Sequence, residues 1–204
     1  MTLKLHHLNA SRSQRIVWLL LELGVPHEIV HHTRDLATRR GPADLAKIHP
    51  LGKSPLLEHD GVVIAETGAI AEYLLAKFDT GHMLHPKPDS ADFPRYLEWI
   101  HSAEGAVFLP GLLALYTGMA GITEGPVAQM IVTEREKVAG YVETHLSTHA
   151  YFAGDAFSAA DCLMGFQIAM TAAQGGLANR PATAAWLEKV SARPAYQAML
   201  AVGI

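Results

Sequence analysis

Cysteine is nearly missing from this chain: Cys162 stands alone among 204 residues. No disulfide framework can form within it, and the count fits a reducing compartment. Charge is sparse as well, at 18% of residues, with a formal net charge of −4 and a pI near 6.3. A nucleic-acid footprint needs a basic face, which this balance does not supply. Long apolar runs are absent. The longest, Ala106 to Tyr116, is short and is interrupted by Pro110 and Gly111, so it cannot span a bilayer. The N-terminus lacks the charged-then-apolar pattern of a secretory leader, and no internal repeat or low-complexity stretch occurs. These absences lead to the expectation of a cytoplasmic protein with neither nucleic acid nor membrane as partner. What is present is an apolar half of the sequence, enough for a sizeable core in one or two domains.

The first part of the chain alternates between strand and helix signals. Leu3 to Leu8 reads as a strand. Ser11 and Ser13 precede Ile16-Val17-Trp18-Leu19-Leu20-Leu21-Glu22-Leu23, a helix that stops at Gly24, with Ser11 or its neighbour as N-cap. Pro26 introduces an extended segment, His27 to His32, and a short helix is expected between Thr33 and Lys47. Asp60-Gly61 is a hairpin turn between Leu56-Leu57-Glu58 and Val62-Val63-Ile64-Ala65. Glu66 to Phe78 then reads as a helix with Ile70, Tyr73, Leu74 and Phe78 along one stripe. The order β-α-β-α-β-β-α implies a mixed sheet with helices on its faces.

A proline-rich connector, residues 80–90, separates this domain, 1–79, from a helical remainder, 91–204. Asp92 to Leu115 reads as one long helix bent at Pro110-Gly111, Thr117 to Pro126 as a glycine-rich turn, and Val127 to Thr148 as a second long helix. Shorter helices follow from Ser158, over Ala182 to Val190, and over Ala195 to Val202. Ser158 and Asp161 have the spacing of a capping box, a folding signal in which each side chain satisfies the other's free amide.

Twelve histidines invite a metal reading, but their spacing speaks against it. His6-His7 and His31-His32 are adjacent on strands and point to opposite faces, and His27 and His31 lie too far apart along a strand. His145 and His149 share a helix face without a third ligand, so no metal is expected. Cys162 and the three tryptophans read as core or interface residues. Arg34, Arg39 and Arg40 form a small basic spot suited to a small anion.

The most informative stretch runs from Ile48 to Gly68. Pro55 directly precedes an apolar strand, a position where a missing N–H does no harm to the ladder. A cis Ser54–Pro55 bond would leave the main-chain N–H and C=O of Ser54 free to pair with a short extended peptide. One hairpin later, Glu66-Thr67 opens a helix whose first amides suit a carboxylate. Each of these residues also has a purely structural reading, as turn, strand start or helix start.

Gly52-Lys53-Ser54-Pro55, Glu66-Thr67-Gly68-Ala69-Ile70, the proline-rich linker and Phe157-Ser158-Ala159-Ala160-Asp161-Cys162 together resemble the cytosolic glutathione S-transferase family, over essentially the whole chain. Around Asn9-Ala10-Ser11-Arg12-Ser13-Gln14-Arg15 the chain is most similar to bacterial, serine-type, theta-like members. The resemblance implies an α/β thioredoxin-like N-terminal domain, an all-α C-terminal domain and a homodimer. It also implies a detoxifying transferase that conjugates the glutathione thiolate to small apolar electrophiles, with glutathione as co-substrate. Carried over residue by residue, Ser54 before Pro55 would hold the cysteinyl backbone, and Glu66 with Thr67 the γ-glutamyl end. Lys53 would meet the glycyl carboxylate, with Arg39 or Arg40 as alternatives. Ser11 falls at the activating hydroxyl; a one-residue slip would put Ala10 there instead. A serine hydroxyl that donates to the thiolate lowers the thiol's pKa from ~8.5. The electrophile pocket is expected along Glu104, Phe108, Leu112 and Tyr116, a spacing that equally suits a packing stripe. The same site would serve a non-catalytic glutathione-binding module acting through partners, or a glutathione-dependent isomerase or peroxidase.

Overall fold

The computed structural model describes residues 3–35, 37–38 and 40–203. Its elements are β1 (Leu3–Leu8), α1 (Ser13–Leu23), β2 (His27–His32), α2 (Asp44–Ile48), β3 (Leu56–His59), β4 (Val62–Ala65) and α3 (Thr67–Phe78). They continue with α4 (Phe93–Ser102), α5 (Leu109–Met119), α6 (Pro126–Leu146), α7 (Ala159–Ala173), α8 (Pro181–Ser191) and α9 (Pro194–Val202). The chain divides into two units: the residues up to His85 together with those from Val190 onward, and Pro86–Lys189.

The first unit is built on a mixed sheet in the order β2-β1-β3-β4. β1 runs parallel to β2, with Leu5 opposite Ile29, and antiparallel to β3, with Leu5 opposite Leu57. β3 and β4 form the expected hairpin, and Asp60 and Gly61 both take positive φ (50° and 81°), as a tight mirror-image turn requires. α1 buries Ile16, Val17, Trp18, Leu19 and Leu20 and ends at Gly24, whose φ of 64° is the left-handed conformation that suits glycine at a helix end. It packs on β1, α3 and α9. The last of these contacts joins the chain's two ends: Trp18 meets Tyr196 edge to face, and the Arg193 guanidinium grips both oxygens of Glu22 at 2.6 and 2.7 Å. Among the described residues between β2 and β3, helix forms only over Asp44–Ile48, shorter than the helix expected between Thr33 and Lys47.

The second unit is helical throughout. Trp99 of α4 sits between Tyr141 and His145 of α6 and Phe152, and Phe152 packs in turn on Trp186. Asp161, fully buried in α7, accepts hydrogen bonds from the Ser158 and Phe152 N–H groups, the Ser158 hydroxyl and the Trp186 indole. The capping box thus forms and reaches beyond its own helix into the aromatic core.

The single long helix expected from Asp92 to Leu115 is in fact two. α4 ends at Ser102, residues 103–108 form turns, and Pro110 lies in the first turn of α5. A proline there loses no intrahelical bond, so it starts a helix rather than bending one. α5 in turn runs to Met119, beyond the expected glycine-rich boundary at Thr117.

Candidate functional site

The Ser54–Pro55 bond is cis. Ser54 is buried, and its hydroxyl donates to the His6 carbonyl of β1 at 2.7 Å. That bond fixes the side chain inward. Among the described residues no hydrogen bond occupies the main-chain N–H or C=O of Ser54. An extended peptide could therefore pair with both groups in strand fashion.

Across the same shallow cleft lies the start of α3. Glu66 holds φ 73° and ψ 124°, a left-handed backbone that non-glycine residues rarely adopt. Strain of this sort is worth about 1–3 kcal/mol and persists where surrounding structure enforces it. The exposed Glu66 side chain makes no capping hydrogen bond, and the first amides of α3 stay uncovered. Thr67 follows, 2% exposed. The cleft brings together Lys53, Ser54, Pro55, Glu66 and Thr67, all expected from the sequence, and adds Arg12. Leu51, Leu56 and Ala65 complete its walls. With cations at Arg12 and Lys53, an anion at Glu66 and free amides at α3, the surface complements a short peptide bearing both a free amine and carboxylates.

The turn between β1 and α1 is held from β2's side. Arg34 donates its N–H to the Asn9 side chain at 2.8 Å and a guanidinium N–H to the Ala10 carbonyl at 3.1 Å. Arg34 thus braces this turn. Arg40 is exposed on the surface, and Arg39 lies outside the described residues.

Ser11, 8% exposed, does not cap α1; Arg12 occupies the cap position. The Ser11 hydroxyl lies 2.8 Å from the Ser13 hydroxyl and accepts the Ser13 N–H at 3.2 Å. Ser13 Oγ lies 2.9 Å from His7 Nδ1, and His7 Nε2 donates to the Gly203 carbonyl at 3.0 Å. Burial lowers the His7 pKa, with the Gly203 bond opposing and His31 and His32 adding to the shift, so the ring is neutral at pH 7.

In the helical unit, Glu104 falls in the turn after α4, off the helical stripe on which it was expected. Phe108 is the N-cap of α5 and approaches Phe166 at 6.4 Å, Leu112 is half-buried, and Tyr116 is 59% exposed. Among the described residues no group of three His, Cys, Asp or Glu side chains could hold a metal ion. His145 and His149 stack at 4.5 Å, and burial lowers the pKa of His145.

Arg12, Ser13 and His7 went unassigned in the sequence. Arg12 stands beside Ser11, but nothing local says that its side chain turns into the cleft. His7 finds its partners 6 and 196 residues away.

Comparison with known proteins bears on this arrangement. Residues 1–76 match the family model "Glutathione S-transferase, N-terminal domain", and residues 120–194 match "Glutathione S-transferase, C-terminal domain". Glutathione S-transferase 3 of Schizosaccharomyces pombe is 36% identical, with 94% of this chain and 84% of the fission-yeast protein aligned. Glutathione S-transferase 1 of Saccharomyces cerevisiae is 30% identical over 96% of this chain and 93% of its own length. Among solved structures, a glutathione S-transferase from Actinobacillus pleuropneumoniae superposes with a TM-score of 0.87 at 31% identity, covering 97% of this chain and 90% of that one. A sphingomonad glutathione S-transferase complexed with glutathione gives 0.81 at 25% identity, covering 98% of each.

Proposed function

The chain belongs to the glutathione S-transferase family and is a glutathione transferase, and we propose that it binds the tripeptide in the cleft between Ser54 and Glu66. The observation that carries this reading is the meeting of open Ser54 main-chain groups with the uncapped start of α3. The cysteinyl backbone pairs with Ser54 as an added strand. The γ-glutamyl carboxylate takes the α3 amides and Thr67, and its amine takes Glu66. Lys53 and Arg12 serve the glycyl carboxylate. Residues 1–79 then bind glutathione, and 91–204 supply the electrophile pocket through Phe108, Leu112 and Tyr116.

The sulfur is placed at Ser11, in the turn before α1. On this reading the serine hydroxyl donates to the thiolate but not to the thiol, which lowers the thiol's pKa, and the N-terminus of α1 adds to the same effect. The thiolate attacks an electrophilic carbon of a small apolar substrate. Assignment to the serine-type, theta-like branch rests on the stretch from Asn9 to Arg15 around Ser11. We further infer a cytoplasmic homodimer, supported by Cys162 standing outside any disulfide and by exposed apolar side chains at Val62 and Val63 of β4 and Leu113, Leu115 and Met119 of α5.

The test is conjugation of a chloroarene by wild type and Ser11→Ala, with glutathione affinity measured by calorimetry. The variant is expected to bind glutathione and lose most of kcat; equal kcat would remove Ser11 as activator. A second reading, glutathione held without conjugation, draws on the inward engagement of Ser11 by Ser13. It predicts that glutathione raises Tm while no chloroarene, peroxide or isomerisable substrate is turned over.

A further inference from the structure

We propose that Ser11, Ser13 and His7 form an oriented hydroxyl chain that carries the glutathione thiol proton inward to His7 Nδ1, making His7 and Ser13 positioning residues for the reaction at Ser11. The proposal rests on the reading of Ser11 given above.

The direction of the chain follows from its inner end. The Gly203 carbonyl only accepts hydrogen bonds, so the 3.0 Å contact places a proton on His7 Nε2. The neutral ring then presents a bare Nδ1 to Ser13 Oγ at 2.9 Å. A lone pair facing an oxygen lone pair would be repulsive, so the Ser13 proton points to Nδ1 in preference to the Leu8 carbonyl at 3.2 Å. With its proton committed, Ser13 Oγ is left as an acceptor, taking the Leu8 N–H at 3.2 Å and the Ser11 O–H at 2.8 Å. In the resting chain both hydroxyl protons therefore point toward His7, and Ser11 Oγ, which also takes the Ser13 N–H, keeps one lone pair unused.

An arriving thiol donates to that lone pair. The thiol proton then passes to Ser11 Oγ as the Ser11 proton passes to Ser13 Oγ and the Ser13 proton to His7 Nδ1. One S–H bond breaks, one N–H bond forms, and both serines remain neutral. The transfer also reverses the chain. Ser11 O–H now faces the thiolate, Ser13 O–H faces Ser11, and the imidazolium donates from Nδ1 to Ser13 and from Nε2 to Gly203. After the sulfur has attacked its electrophile, the extra proton leaves by the reverse path, to the leaving group or to solvent.

The surroundings limit when this happens. His31, edge-on to His7 at 5.7 Å, and His32, both on β2, oppose a charge on His7, as burial does. α1 presents the Ser13 hydroxyl and the C-terminal segment the Gly203 carbonyl. Among the described residues the charged groups acting on His7 are His31 and His32, and on this proposal the thiolate supplies the counter-charge. His7 holds the proton only while a thiolate occupies the cleft.

Two readouts on the full-length protein test this. Nitrogen NMR of His7 at neutral pH should show Nδ1 protonated on saturation with glutathione and neutral with S-methylglutathione, which has no proton to give. Thiolate ultraviolet absorbance gives the pKa of the bound thiol. Ser13→Ala, and His7→Asn, which keeps an acceptor near Nδ1 but cannot hold the proton, should each raise that pKa by about one unit or more toward ~8.5. Glutathione Kd by calorimetry should change by less than about threefold, and Ser13→Thr should restore the wild-type pKa. A His7 that stays neutral beside a bound thiolate, or a His7→Asn variant with the wild-type thiol pKa, overturns the chain. If Ser11→Ala also leaves the thiol pKa unchanged, the reading of Ser11 fails with it. If only Ser11→Ala raises it, the relay alone is lost.

Discussion

Two helix starts in this molecule solve the same problem in opposite ways. At α7 the first amides are closed off: Ser158 and Asp161 complete a capping box, and the buried Asp161 carboxylate satisfies four donors from three parts of the chain. At α3 nothing closes the end; Glu66 occupies the cap position with φ 73° and no side-chain bond to the amides. Relaxed and satisfied, the first is a folding device. The second is strained and open, and on the proposed reading glutathione supplies the partners it lacks. An acidic residue near a helix start therefore does not by itself announce either role; backbone conformation and burial decide.

The sharpest way to break this comparison is to remove Asp161. Asp161→Ala would orphan four buried donors, and we expect a loss of at least ~3 kcal/mol in urea unfolding. The protein that remains folded should bind glutathione with unchanged affinity. A change confined to binding would reverse the roles assigned to the two helix starts.

A slightly smaller effect comes from pH at the same residue. Burial pushes the Asp161 carboxyl up from 3.8 to about 6, against the downward pull of its hydrogen bonds. The folded state thus holds this proton more tightly than the unfolded chain does. The associated stability is complete below about pH 4 and is lost as pH rises through about 6, a change of roughly 3 kcal/mol at most. Asp161→Asn should flatten that part of the pH–stability curve whatever its effect on overall height.

Glu66→Gly sharpens the comparison from the other side. Glycine accepts φ 73° without penalty, so stability should rise by up to about 1 kcal/mol. Glutathione affinity should fall about tenfold as the charged contact is lost. A stability gain without an affinity loss would make the strain merely structural. The smallest expected effect is at Ser54. Ser54→Ala removes one buried hydrogen bond to the His6 carbonyl, worth about 1 kcal/mol. It should leave glutathione affinity nearly unchanged, because the proposed contacts are main-chain atoms.

Much of the cleft could be read from the sequence because its signals are local. Ser54-Pro55, Asp60-Gly61 and Glu66-Thr67 each carry their conformational meaning within two residues, and short loops keep them together. The first unit's strand and helix order followed from alternation and stop signals in the same way. The break between α4 and α5 was harder, since residues 103–108 contain good helix formers and Pro110 fits either a kink or a start. Three arginines clustered in sequence suggest an anion spot, whereas two of Arg34's contacts, to Asn9 and Ala10, reach residues 25 and 24 positions away. Ser13 gave no cue beyond being a serine near a helix start, and its meaning depends on a histidine whose own orientation is set elsewhere.

That dependence has a consequence for how the molecule matures. The strand bearing His7 is synthesised 196 residues before Gly203, which orients its ring. A nascent chain can therefore assemble its sheet and bury its first helix while the imidazole is still unanchored. On the relay proposed above, the ring reaches its working orientation only after the segment around Gly203 has been made and has docked.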